Sequence, residues 1–456
     1  MATTYVYRTG TMAGGSRTTW TLSMWVKFNA DQTYRSFFSQ SDNTDDYTEI
    51  KMHNGDYIHW ENAETVMNAE LKTTQLFRDP AAWYHLVFVW DSTNDTSGDR
   101  MRIYVNGDRI TSFSSETQPP EDTTGIVNKA GIGPMILGAT DYTGSAPQKY
   151  WNGDMSHVQF VDGAALAPTE FGEVDSTSGI WKIKTSCYGT PGTNGFCLKM
   201  EDRTNLDLDS SSNAHPFATS GTGTPTYDNP SNNFCTMNPL DNYGADSTFT
   251  NGNNTVAIGT NDRTNTSTMG LTKGKWYFEV KYTPGSQIYS MIGIANYPVG
   301  SDNQTTQGYL TLNAAGNWGY SLQGGGTSTS NYAKSSANGT AVFTSPYPVA
   351  GYSGNQFVAD DIVQVAIDLD NNKIWWGKNN LGYWGTDGYN GVPNTNTNGF
   401  AIADPTTIAG GTYYVACGRS DGGGVTWTFN FGNGYFGTTA VASTNADDAG
   451  IGSFEY

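Results

Sequence analysis

The sequence predicts an all-β fold: two antiparallel β-sandwich domains in tandem. Three observations carry that reading. The stretch from Asp361 to Asn379 is a complete β-hairpin, with Ile362 to Ile367 alternating at near period two, turn residues from Asp368 to Asn372, and a restart from Lys373 to Trp376. A nearly matching stretch lies in the first half, where Trp83–Asp91 is followed by a polar turn to Asp99 and a partner strand from Arg100 to Gly107. Both read as buried strand, short turn, partner strand and Asn-containing exit. Finally, 54 glycines and 13% aromatic residues beside only 15% charged residues suit many short strands and tight turns. Long amphipathic helices would need more Leu, Glu, Lys and Ala. A chain of 456 residues exceeds one typical core, so two domains of roughly 200 residues each are expected.

Residues 1–217 form the first domain in this reading. Its strand signals are Trp20–Phe28, Arg35–Ser39, Tyr57–Trp60, the Trp83 hairpin, Met135–Gly138, Tyr150–Val161 and Gly195–Met200. Ala164–Phe171 reads as one short helical turn. Ala218–Pro230 is mostly Gly, Thr and Pro without periodicity, so residues 218–237 read as a linker. The second domain, 238–440, has strand signals at Thr255–Ile258, Gly274–Tyr282, Tyr289–Ala295, Trp318–Leu322, the Asp361 hairpin, Tyr413–Cys417 and Val425–Phe431. Residues 441–456 read as the start of a further strand or a tail. The 323–341 and 386–410 stretches are long and without pattern, as functional or disordered loops are.

The charge balance narrows the function. With 24 basic and 43 acidic residues the net charge is −19, and gripping nucleic acid through its phosphates would require clustered Lys and Arg. No stretch approaches the length of apolar residues that membrane insertion needs, and the N-terminus lacks a secretory pattern, so synthesis in a cytosol is expected. Cys187 and Cys197 could close a small disulfide, but two reduced cysteines on neighbouring strands is the favoured reading; Cys235 and Cys417 are far apart in sequence.

The first domain resembles a LamG or concanavalin A-like jelly roll through Trp20-Thr-Leu-Ser-Met-Trp-Val26, Trp83-Tyr-His-Leu-Val87, Ile103-Tyr-Val-Asn-Gly107 and Tyr150-Trp-Asn-Gly-Asp-Met-Ser156. The second resembles a SPRY domain through Gly274-Lys-Trp-Tyr-Phe-Glu-Val280, Ile292-Gly-Ile-Ala295, Asp360–Asp370 and Asn430-Phe-Gly432. The tandem is similar to virion-associated proteins of tailed bacteriophages, particularly marine ones. That resemblance implies a virion structural protein on a tail fibre, spike or capsid surface. It would engage other virion proteins or host-surface polysaccharide and work as a homo-oligomer, a trimer being common in fibres and spikes. The alternative is a tailspike polysaccharide depolymerase; an intracellular SPRY adaptor recognising a peptide is a third, weaker reading.

Candidate chemistry is sparse. A glycosidase of concanavalin A-like fold needs two carboxylates flanking a bond, about 5–5.5 Å or 6.5–9.5 Å apart. Glu173-Val-Asp175 and Asp207-Leu-Asp209 come closest to carboxylates alternating on one strand, and both lack a third member. No enzymatic turnover and no required cofactor are therefore expected. His53, His59, His85, His157 and His215 show no metal or triad spacing, and His85 reads as a core histidine. Gly418-Arg-Ser-Asp-Gly422 has the spacing of a nucleophile elbow but not the helix that must follow it. Calcium is the ion that suits so acidic a chain. Its candidates are the carboxylate-rich loops with Asp42 and Asp45, and with Asp91 and Asp95; Asp368–Asn379 departs from an EF-hand at its sixth and twelfth positions. For glycan contact, aromatic faces beside planar polar groups point to Tyr142 and Trp151, and to Tyr383, Trp384, Tyr389 and Asn390. Trp25, Trp276 and Trp427 read as packing.

Overall fold

The computed structural model describes residues 3–29, 34–142, 146–242, 246–259, 263–285, 289–296, 318–324, 332–337, 340–343, 358–385, 388–420, 423–443 and 445–456. The chain divides into two units, Met1–Asn233 and Phe234–Tyr456. Among the described residues all helical turns are three-residue 3-10 turns, and the remaining elements are strands paired antiparallel.

The first unit contains β1 (Tyr5–Arg8), β2 (Thr19–Phe28), β3 (Arg35–Ser41), β4 (Tyr47–Met52), β5 (Ile58–Glu64), β6 (Val66–Thr73), β7 (Trp83–Asp91) and β8 (Met101–Val105). It continues with β9 (Asp108–Arg109), β10 (Phe113–Thr117), β11 (Ile136–Leu137), β12 (Gly153–Asp162), β13 (Gly172–Val174), β14 (Trp181–Ile183), β15 (Phe196–Leu198) and β16 (Phe217–Ser220). One sheet runs β10-β6-β5-β4-β3-β11-β1-β16 and the other β15-β12-β2-β7-β8-β9. Side chains alternate across a strand, so Ile50, Met52, Ile58, Trp60 and Leu71 enter the core while their neighbours face the opposite way. The core centres on Trp20, whose ring lies 5.4 Å from that of Trp60 and 6.3 Å from that of Trp90, the latter stacked.

The second unit contains β17 (Ser247–Thr250), β18 (Thr255–Ile258), β19 (Arg263–Leu271), β20 (Lys275–Pro284), β21 (Tyr289–Ala295), β22 (Trp318–Gly324), β23 (Tyr332–Ala337) and β24 (Thr340–Phe343). The Asp361 hairpin is β25 (Ile362–Asp368) and β26 (Lys373–Lys378), followed by β27 (Tyr383–Gly385), β28 (Gly388–Gly391), β29 (Phe400–Ala401), β30 (Tyr413–Ser420) and β31 (Val425–Asn430). Its large sheet runs β17-β18-β31-β20-β25-β26-β27-β28, with β29 beside β26, and its second sheet β19-β30-β21-β22-β23-β24.

The two hairpins that announce the fold share a device at their exits. Asn106 and Asn379 both adopt positive φ, as Asn tolerates. Asn106 Oδ1 accepts the amide of His85 at 2.8 Å, and Asn379 Oδ1 accepts that of Ile362 at 2.7 Å. Each exit asparagine thus closes its own hairpin onto the partner strand. Gly107 follows with φ +89°, and a Cβ there would meet the Trp181 ring at 2.6 Å.

Several expectations are revised. The 218–237 segment begins as a strand: β16 pairs with β1 from Tyr5↔Ser220 to Arg8↔Phe217, and the unit boundary falls after Asn233. Asp228 accepts Lys27 Nζ at 2.8 Å and Trp83 Nε1 at 2.9 Å, so it is fixed within the first unit. Within the 441–456 segment, residues 454–456 pack back against β20. Phe454 is buried, and the amides of Glu455 and Tyr456 donate to the Glu279 carboxylate at 2.9 and 2.8 Å. Cys187 and Cys197 form a disulfide, their Cα atoms 5.9 Å apart, against the favoured reduced reading. The 386–410 stretch is not patternless, since it carries β28, β29 and the 3-10 turns Pro393–Thr395 and Pro405–Thr407; residues 325–331 and 338–339 of the other loop lie outside the described residues. Trp25 and Trp427 are buried as expected, whereas Trp276 is 44% exposed. It stands at the start of β20, where its indole nitrogen turns back to donate to Lys273 O at 2.8 Å.

Candidate ligand-binding face

Alternation on β4, β5 and β6 turns six ionisable side chains away from the core. The register sets them in two rows. Glu49 pairs with Glu61 and Glu61 with Glu70 in one row; Lys51 pairs with His59 and His59 with Lys72 in the next. An acidic row thus lies beside a basic one. Like charges directly opposite one another destabilise a sheet, and here each is answered from the neighbouring row. Lys51 Nζ bridges Glu49 Oε2 at 2.7 Å and Glu61 Oε1, while Lys72 Nζ meets Glu70 Oε1 at 2.8 Å. His59 Nε2 lies 3.1 Å from Glu61 Oε2 and 3.0 Å from Glu70 Oε1.

Other strands and loops complete the face. Thr140 donates to Glu49 Oε1, and Tyr142 and Lys149 donate to Glu49 Oε2 at 2.7 and 2.8 Å. Ser115 on β10 donates to Glu70 Oε2 at 2.5 Å. Beyond the basic row, His53 stacks on Tyr57 with centroids 4.3 Å apart and meets Tyr34 edge-on at 4.5 Å. Its ring is 6.2 Å from that of His59.

The charge states follow from this geometry. Burial raises the Glu49 carboxyl, but Lys51 and Lys149 outweigh it and hold the group down to about 2. Glu61 goes the other way: burial raises it, and Lys51 only partly compensates. Burial also raises Glu70, but hydrogen bonds from Lys72 and Ser115 bring it down to about 2. Burial, with Lys51 and Lys72 close by, depresses His59 to about 4. Burial pushes the Tyr142 phenol up, and the adjacent Glu49 adds to this. Solvent reaches Lys72 and Lys149 more than the carboxylates: their side chains are 30% and 23% exposed, against 0% for Glu49, 6% for Glu61 and 16% for Glu70.

Of the sequence-derived candidates, Tyr142 belongs to this face. Trp151 does not; it is buried in the core against Phe28 and Phe37, with centroids 5.6 and 4.7 Å away, so it cannot offer a ring face to a ligand. Tyr383 and Trp384 lie on β27 and Tyr389 and Asn390 on β28; their side chains lie outside the described residues. The calcium candidates are dispersed. Asp42 pairs with Lys129 at 2.7 Å, and Asp91 accepts Thr93 Oγ1 at 2.9 Å, while Asp45 and Asp95 are exposed. Among the described residues neither loop brings three ligating side chains together; His59, Glu61 and Glu70 do. The statement that the histidines form no metal-ligating cluster is therefore corrected for His59. The signal was present as Glu49-x-Lys51, His59-x-Glu61 and Glu70-x-Lys72, but only the register joins the three pairs. His85 is a core histidine as expected, with Nε2 2.8 Å from Ser23 Oγ and Nδ1 accepting Trp181 Nε1 at 3.0 Å. Glu173 and Asp175 both face Lys182 on the surface ribbon of β13 and β14.

Residues 3–170 match the laminin G family profile described as the concanavalin A-like lectin/glucanases superfamily. The match lies within the first unit, whose antiparallel two-sheet fold is concanavalin A-like. Similar solved structures include a pentraxin of Limulus polyphemus, at 18% identity over 36% of this chain and 72% of that one, TM-score 0.28. The SPRY domain of human HERC1 is similar at 14% identity over 40% and 91%, TM-score 0.26. A third is the CBM40 of a Ruminococcus gnavus sialidase bound to α2,3-sialyllactose, at 11% identity over 36% and 92%, TM-score 0.26. No curated protein matches the chain.

Proposed function

We propose that the first unit binds an anionic glycan over the outward face of its eight-stranded sheet, without turnover. We propose further that the chain is an adhesion component of a tailed-phage particle, assembled with other virion proteins as a homo-oligomer. The observation that carries the glycan reading is the pairing of ring faces with accessible cations. Tyr34 and Tyr57 flank His53, and on the same sheet face Lys72 and Lys149 reach solvent while Glu49 and Glu61 are buried. Flat ring faces suit the apolar side of a sugar, and ammonium groups suit a carboxylate or sulfate on it. The lectin/glucanase match of residues 3–170 agrees with this. Binding without turnover is supported by Glu49, a fully buried carboxylate whose two oxygens already accept from Lys51, Thr140, Tyr142 and Lys149. The virion role rests on the resemblance of the tandem to phage proteins.

The test is binding of the full chain to a uronate- or sialate-containing polysaccharide and to its neutral counterpart. Preference for the anionic form, weakened at least roughly tenfold in Tyr57→Ala and Lys149→Ala, supports the glycan site. Equal binding of both forms, no binding, or indifference to both substitutions overturns it. Mass spectrometry of purified particles tests the virion role, and absence of the chain from them overturns it.

A further inference from the structure

His59, Glu61 and Glu70 place one nitrogen and two oxygen donors within 4.8 Å of one another. Zinc bonds of about 2.0–2.1 Å in tetrahedral array separate neighbouring donors by roughly 3.3 Å. The two contacts of His59 Nε2, at 3.1 and 3.0 Å, need to open by only a few tenths of an ångström to admit such an ion.

Two further features point to a ligand at this place. An imidazole carries at most one proton on Nε2, which cannot serve two carboxylates fully. The carboxylates are also held as ligands are held, by contacts through their other oxygens. Lys51 takes Glu61 Oε1 and Ser115 takes Glu70 Oε2. The one group in the way is Lys72, which shares Glu70 Oε1. It is 30% exposed and free to turn to solvent.

We propose that His59 Nε2, Glu61 Oε2 and Glu70 Oε1 bind a late first-row divalent cation, Zn2+ foremost, with water in the fourth position. The mixed nitrogen and oxygen set suits zinc, whereas calcium takes oxygen ligands alone. The site shares Lys72 with the proposed glycan face, but metal binding is read directly and its failure does not bear on the glycan reading.

The experiment uses the full chain, stripped with a chelator and freed of it. Zn2+ affinity is measured by competition with a chromophoric chelator, and Co2+ is used for its visible absorption. One ion per chain is expected, with affinity lowered at least roughly tenfold in Glu70→Gln and raised in Lys72→Met, which removes the competing ammonium. Failure to bind Zn2+, or binding that Glu70→Gln and Lys72→Met leave unchanged, overturns the site. If Glu70→Gln fails to fold, Lys72→Met decides alone: tighter binding supports the site, and unchanged or weaker binding removes it.

Discussion

Glu61 lies directly opposite Glu70 in the β5–β6 register, and both turn one oxygen to the same atom, His59 Nε2. Two carboxylates in that relation repel one another. The sheet keeps them because Lys51 and Lys72 stand one row away.

Lys51 is the most consequential member of this arrangement. It is buried and serves both Glu49 and Glu61. Lys51→Met strips Glu61 of its lysine and leaves Glu49 with Lys149 alone, and removal of one partner from a buried ion pair costs about 3–5 kcal/mol. Urea unfolding of the chain is expected to show that loss in the transition of the first unit. Adding Glu61→Gln to Lys51→Met is expected to recover part of it, since the second substitution removes one stranded charge. An unchanged midpoint in Lys51→Met would show that the network contributes nothing to stability.

A second buried charge cluster gives a pH signature. Asp154 pairs across β12 and β2 with Lys27, whose ammonium is engaged by Asp228 at 2.8 Å and Asn233 at 2.7 Å. Burial, and then the charge of Asp228, raises the Asp154 carboxyl from 3.8 to about 7. A raised carboxyl binds its proton more tightly in the folded state than in the unfolded one. Its contribution to stability is therefore full below about 4 and declines as pH rises towards about 7. Asp154 keeps partial exposure, which limits the size of the slope but not its sign. Urea midpoints of Asp154→Asn should fall less between pH 5 and pH 8 than those of the parent. A parallel fall in both proteins would remove Asp154 as the cause.

The sequence disclosed the fold further than the site, for a physical reason. Alternation and turn chemistry are local, so Trp83–Asp91 and Ile362–Asp368 are legible as strands from their own residues. The grouping of Glu49, His59 and Glu70 arises from register across three strands, which no single stretch contains. Trp151 shows the same limit in reverse: an aromatic in a Tyr-Trp-Asn-Gly string reads as a sugar platform, yet its placement against Phe28 and Phe37 is tertiary.

Two tryptophans that look alike in sequence should behave differently. Trp427 is fully buried beside Tyr282, with centroids 5.1 Å apart, whereas Trp276 is 44% exposed. Truncation of a buried tryptophan costs about 3–5 kcal/mol, while a surface substitution stays within about 0.5 kcal/mol. Thermal unfolding should therefore separate Trp427→Ala sharply from Trp276→Ala. A comparable loss in both would mean that Trp276 packs against something in solution.

The Cys187–Cys197 disulfide links a loop to the buried β15 across a separation of 10 residues. Closing a loop of that size removes unfolded-state freedom corresponding to about 2–3 kcal/mol. Peptide mapping of the purified chain without reductant should recover the two cysteines linked. Reduction, or Cys187→Ser with Cys197→Ser, should lower the unfolding midpoint of the first unit. The second unit should be unaffected, because neither Cys235 nor Cys417 takes part in the disulfide. In chain produced in a bacterial cytosol, whose reducing poise disfavours the bond, material analysed immediately after lysis under alkylation should carry more free thiol than material aged in air. Equal midpoints for the oxidised and reduced chains would show that β12 and β15 hold this corner without the bond.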